Sequence, residues 1–216
     1  MRNHDRFIDQ LSDSARPVKR LWPTGWRVAA WVALALPCGM LSSWALHGRF
    51  TDWSRPDALP ALAGLLLAFV LGTGAMAGAF TLSLAGRRPV RLKWLGILAL
   101  IWLALNLGNM SSTAPPAGAG QFGEGVHCYL FMLSASLPMT VIAVAALYRS
   151  RSLYPGKSLA LAGGGIAFMS SMLLSLCHQT HLHMLDFIMH LAAGLTITAV
   201  TVLAGRRWVR LDPSAG

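Results

Sequence analysis

Long apolar runs separated by short basic or glycine-rich stretches dominate the chain. Six runs cover roughly Trp26–Leu46, Ala61–Leu84, Trp94–Leu107, Cys128–Tyr148, Leu159–Cys177 and Leu185–Leu203. A helix that crosses the hydrocarbon core of a bilayer needs about 20 mainly apolar residues. The third run is short, and reaches that length once Leu92 and Gly108 to Met110 are added. The alternation expected of half-buried strands is absent. In lipid, every backbone N–H and C=O must also be paired inside the protein. The pattern therefore predicts an all-α fold, a polytopic membrane bundle of six transmembrane helices. The first run is longer than the apolar core of a secretory leader, and Ser43-Trp44-Ala45 is a poor cleavage sequence, so it reads as a retained helix.

Composition narrows the function classes. Of 216 residues, 55% are hydrophobic and 12% are charged, against about 25% charged in soluble domains. Mean hydropathy is +0.53. A soluble enzyme, a disordered tail and a disulfide-rich secreted module are all excluded. The net charge of +10 would suit nucleic acid, but its placement says otherwise. Sixteen of the 18 Lys and Arg lie before or at the very start of the first span, in the second and fourth loops, or after the sixth span; only Arg49 and Arg55 lie in the first loop. The positive-inside rule then places both termini in the cytoplasm. The basic excess marks topology and favours anionic lipid headgroups as partners. No basic face interleaved with aromatic residues forms a nucleic-acid-binding domain.

Three segments follow: residues 1–24 ahead of the membrane, a six-helix domain over 25–210, and a short tail at 211–216. In the first, Phe7, Ile8, Leu11 and Ala15 share one face of a helix, while Arg6, Asp9 and Asp13 lie largely off it. Pro17 interrupts, and a basic-apolar approach leads to Pro23. Such a helix lies on the bilayer surface or docks into the groove of a cytoplasmic partner; composition leaves both readings open. Gly163–Gly165 and Gly72, Gly74 and Gly78 put small residues inside two spans, which predicts close helix–helix contact.

The chemistry gathers at the opposite face of the membrane. Cys128 is expected to open the fourth span and Cys177 to close the fifth, at similar depth. Near them in sequence lie His127, His178, His181 and His183, with Asp186 and His190 one or two turns deeper. Cys177 and His181 are four residues apart. His183, Asp186 and His190 fall on one face of the sixth helix. Asp186 is the one acid inside any of the six runs, and an ionisable group there marks a functional site by default. Thiolate, thioether and imidazole together suit copper or zinc better than calcium or magnesium. A structural disulfide between Cys128 and Cys177 is the plainer alternative, worth roughly 4 kcal/mol in the entropic account. Most methionines in such helices are packing. Catalysis by a cysteine–histidine pair is disfavoured, because no oxyanion donor accompanies it; the chain reads as a non-enzyme.

Several residues together carry a family resemblance. Phe7-Ile8-Asp9-Gln10-Leu11, followed by Arg16-Pro17-Val18-Lys19-Arg20-Leu21, resembles the start of the NrsF family of membrane anti-sigma factors. Cys128 with Ser136-Leu137-Pro138, Cys177, and His190 match that family's order and spacing over essentially the whole chain. The resemblance implies a multi-pass protein of the bacterial inner membrane. Its cytoplasmic segment, including Phe7, Ile8, Leu11, Arg16, Lys19 and Arg20, would hold an extracytoplasmic-function sigma factor inactive. It further implies that Cys128 and Cys177 take part in sensing metal or oxidative stress, with no resident cofactor required. The run Cys177-His178-Gln179-Thr180-His181-Leu182-His183 departs from the family in its histidines, which bears on which signal is sensed. Two rivals remain: a membrane redox enzyme subunit that uses the His/Cys cluster for haem or copper, and a metal transporter. The latter is disfavoured by the few polar groups along the spans.

Overall fold

The computed structural model describes residues 6–9, 12–13, 22–47, 58–84, 92–111, 122–150, 152, 154–177 and 184–209. Among these, all regular structure is helical. Six long helices occur: α1 (Thr24–His47), α2 (Ala58–Leu82), α3 (Leu92–Ser111), α4 (Phe122–Tyr148), α5 (Pro155–Cys177) and α6 (Met184–Val209). Each is long and apolar enough to cross a membrane, so the chain is a multi-pass membrane protein. Two ends differ most from expectation. Helix α4 begins at Phe122, so Cys128 lies inside it rather than opening it. Helix α6 continues to Val209 and takes in Arg206 and Arg207. Their positive charge in the last turn suits the negative end of the helix dipole.

Helix α5 is the centre of the bundle: half of its spanning segment is buried, against none of that of α3. It packs most extensively on α2 and on α6, while α4 packs on α6 and α1, and α3 leans on α2. The first helix thus has α4, not its chain neighbour α2, as its main partner.

Glycines make these contacts close. A Cβ built on Gly165 would stand 2.8 Å from the Gly72 carbonyl oxygen and 3.2 Å from the Met76 nitrogen. One on Gly72 would stand 3.1 Å from the Gly165 carbonyl oxygen. Both obstacles are backbone, so neither can swing aside. Gly163 serves the other side of α5, where a Cβ would meet the Thr198 Cα of α6 at 2.7 Å. Gly74 admits Leu95 of α3. The expectation of small residues at helix contacts is met at Gly72, Gly74, Gly163 and Gly165, while Gly164 faces open space.

Several threonine hydroxyls are satisfied within their own helices. Thr81 donates to the Ala77 carbonyl, Thr198 to Gly194 and Thr201 to Ile197, all at 2.7–2.8 Å. Side-chain bonding to the preceding turn is the usual local solution for these residues, and it leaves no polar proton facing hydrocarbon.

The glycine triplet supplies an internally controlled test. Gly165→Ala should cost about 1–3 kcal/mol, because overpacking against backbone cannot relax. Gly164→Ala, one residue away, should change stability by no more than about 0.5 kcal/mol. Thermal unfolding of both variants in detergent checks the contrast.

Candidate functional site

Cys128 lies in the second turn of α4, only 2% exposed and packed in the core together with Phe131 and Met132. Its neighbour His127 is exposed, because consecutive residues point about 100° apart on a helix. Asp186 occupies the first turn of α6, where the positive end of the helix dipole favours an acid. It is 4% exposed, and its Oδ1 has no hydrogen-bond partner among the described residues. His190 follows one turn deeper and is partly buried. Between α4 and α6, the Tyr129 hydroxyl and Thr196 Oγ1 are 3.0 Å apart. Thr196 donates its own proton to the Ala192 carbonyl, so Tyr129 is the donor.

The eight side chains singled out as metal ligands divide into two sets. His127, Cys128, Asp186 and His190 are described. The Cys177 side chain, His178, His181 and His183 lie outside the described residues. Among the described residues, no group of three or more His, Cys, Asp or Glu side chains comes together to hold a metal ion. Of the docking residues, Phe7 and Ile8 stand in a helical turn at 59% and 62% exposure. Leu11, Arg16, Lys19 and Arg20 lie outside the described residues.

Two features were missed by sequence reasoning. The first is a clamp at the end of the bundle where α1 begins. Arg27, counted above only as a topology label, is partly buried with its guanidinium 4.4 Å above the Phe80 ring of α2. Its Nη2 donates to the Ala146 carbonyl at 3.3 Å and to Ser150 Oγ at 3.1 Å, at the end of α4. Further along α1, the Trp31 indole N–H reaches the Met139 carbonyl at 3.4 Å. The second is a polar cleft at the opposite end, between α2, α3, α5 and α6, where Asn106, Asn109, Ser171, Ser175 and His190 converge. Two sequence signals were present: Asn106 and Asn109 are three residues apart and Ser171 and Ser175 four, each pair on one helical face. Nothing in the sequence states that these faces meet.

Comparison with models of known protein families, with curated proteins and with solved structures gave no match.

The Asp186 oxygen that has no partner among the described residues and the Tyr129–Thr196 bond predict opposite responses to deletion. Asp186→Leu should leave stability unchanged or raise it, since replacing an unsatisfied buried polar group by an apolar one is neutral or favourable. Tyr129→Phe should lower it by about 0.5–1.5 kcal/mol, the usual worth of a hydrogen bond. Denaturation midpoints of the two variants in the same detergent measure both.

Proposed function

We propose that this protein is an integral membrane anti-sigma factor without enzymatic activity. It sits in the bacterial inner membrane with both termini in the cytoplasm. The observation that carries the reading is the helical turn at residues 6–9, which presents Phe7 and Ile8 at 59% and 62% exposure in the segment that precedes α1. Apolar side chains there have no place in the buried core, and an amphipathic segment of this kind suits the groove of a partner protein. The resemblance of this segment to the NrsF family names the partner class, an extracytoplasmic-function sigma factor. The placement of the Lys and Arg residues supports the orientation.

The trigger in this reading acts at Cys128 and Cys177, through oxidation of the thiols or through copper or zinc. The described donors do not form a three-ligand set, so a metal centre would have to draw on Cys177 and the histidines that follow it. The route from Cys128 to the docking segment runs along α4 from one end of the bundle to the other. Cys128 is packed into the core from α4, and α4 is the main partner of α1. Trp31–Met139 and Arg27–Ala146/Ser150 join the two helices at successive depths. A shift of α4 is therefore handed to the start of α1, which continues from residues 1–24. A tenfold change in sigma-factor affinity needs about 1.4 kcal/mol of difference between the two packing states.

The full-length protein in its membrane should retain an extracytoplasmic-function sigma factor from its own host. Phe7→Asp with Ile8→Asp should weaken that retention by at least about tenfold, as expected for central apolar anchors. Cys128→Ser and Cys177→Ser should keep the complex and abolish release by copper or peroxide. Unaltered retention in the Phe7/Ile8 variant removes the docking assignment, and unaltered release in the cysteine variants removes the sensor assignment. Co-purification from membranes before and after exposure reads both.

A further inference from the structure

Met132 stands one turn from Cys128 on α4. Residues four apart share a helix face, with Cβ atoms about 5–6 Å apart. Both side chains are shut into the core, at 1% and 2% exposure. A thioether and a thiol, the two soft donors of the protein alphabet, are therefore neighbours in a space closed to water.

The pairing of α4 with α5 brings Cys177 to the same level. Ser170 Oγ reaches Met139 Sδ at 3.9 Å, and a Cβ on Gly39 of α1 would meet both Met139 and Leu173. These contacts fix the register of two consecutive spans that run in opposite directions. Two turns from Met139 towards the start of α4 is Met132, and two turns from Ser170 towards the end of α5 is position 177. Seven residues make close to two full turns, so each keeps the face of the residue it is counted from. Cys177, the last residue of α5, thus lies on the face that holds Ser170, at the depth of Met132.

We infer that Met132 completes a Cu(I) site with Cys128 and Cys177. The inference rests on the cysteine trigger proposed above and names its metal. Thiolate and thioether sulfurs are the donors that Cu(I) prefers, whereas Zn(II) takes thiolate, imidazole or carboxylate. Cu(I) carries a single positive charge, which the Cys128 thiolate cancels; the thiol proton leaves to bulk as the metal binds. The thioether adds a ligand without adding charge to the core. Binding ties the start of α4 to the end of α5, and α4 is the main partner of α1.

The test is anaerobic titration of the full chain in nanodiscs with Cu(I), against bicinchoninate as competing chelator. Saturable binding is expected. Met132→Leu should weaken it by at least about tenfold, the loss that removing even a supporting group brings to a metal site. Zn(II) binding should change by less than about twofold in that variant, since a thioether is a poor zinc donor. Met139→Leu, two turns away on the same face, should leave Cu(I) binding unaltered. Leucine conserves the volume of methionine, the best tolerated kind of core exchange. Should Met132→Leu still fail to fold, X-ray absorption at the copper edge of the unaltered protein decides, with a first shell of sulfur alone expected. Unaltered Cu(I) affinity in Met132→Leu, or nitrogen in that shell, overturns the inference. The cysteine trigger survives that outcome if Cys128→Ser still abolishes copper-induced release, and falls with it if release persists.

Discussion

The approach of α2 to α5 governs the rest of the bundle. At Gly72 and Gly165 the two helices come so close that each carbonyl occupies the space a neighbouring Cβ would need. In lipid, no hydrophobic gain separates a helix pair from two helices in acyl chains, so van der Waals contact between backbones carries much of the association. That contact fixes α5 against α2. The adjacent glycine, Gly163, fixes the other flank of α5 against α6. With α5 held on two sides, α4 fills the remaining space beside α6 and α1, and α3 is left outside. Three consecutive glycines thus serve three surroundings, and the helical rotation of about 100° per residue is sufficient to separate them.

The two ends of the bundle carry different chemistry. Where α1 begins, a guanidinium, an aromatic ring and a carbonyl join three helices through a side chain with both charge and reach. An arginine suits this position because its planar fork can stack on Phe80 while donating sideways. At the other end, neutral hydrogen-bonding groups and one acid gather among aromatic residues. The first arrangement joins helix ends to one another, and the second lines a gap with polar residues. In the proposed signalling scheme the arginine clamp faces the sigma factor, and the polar cleft faces the stimulus.

The six spans were legible because hydrocarbon thickness imposes a length that apolar runs must meet. Their ends were not. At Phe122 the apolar run has not yet begun, yet the helix has, because intrahelical hydrogen bonds remain favourable in the interfacial zone. The choice of neighbours was equally hidden. A membrane helix is apolar on both its lipid and its protein faces, so no stripe of hydrophobicity points to its partners. Glycine was the exception, and it marked α2 and α5 correctly. The chemistry divided along the same line. Cys128 and Asp186 stand out by residue type, and their burial follows from the packing. Arg27 read as a charge label because its partners lie 119 and 123 residues further along the chain. The cleft required four helices to meet, which spacing within any one of them could not disclose.

The hydroxyl groups of Thr81, Thr198 and Thr201, each closed onto its own helix, bear on how the protein is made. A segment whose polar protons are already satisfied has no need of a neighbour on leaving the translocon. These three hydroxyls therefore place no condition on the order in which helices meet, unlike Arg27, Trp31 and Tyr129, whose partners lie on other helices. Biogenesis then has a solvation step, which a single helix completes for these threonines, and a fitting step in which glycine notches and a few cross-helix hydrogen bonds select the neighbours.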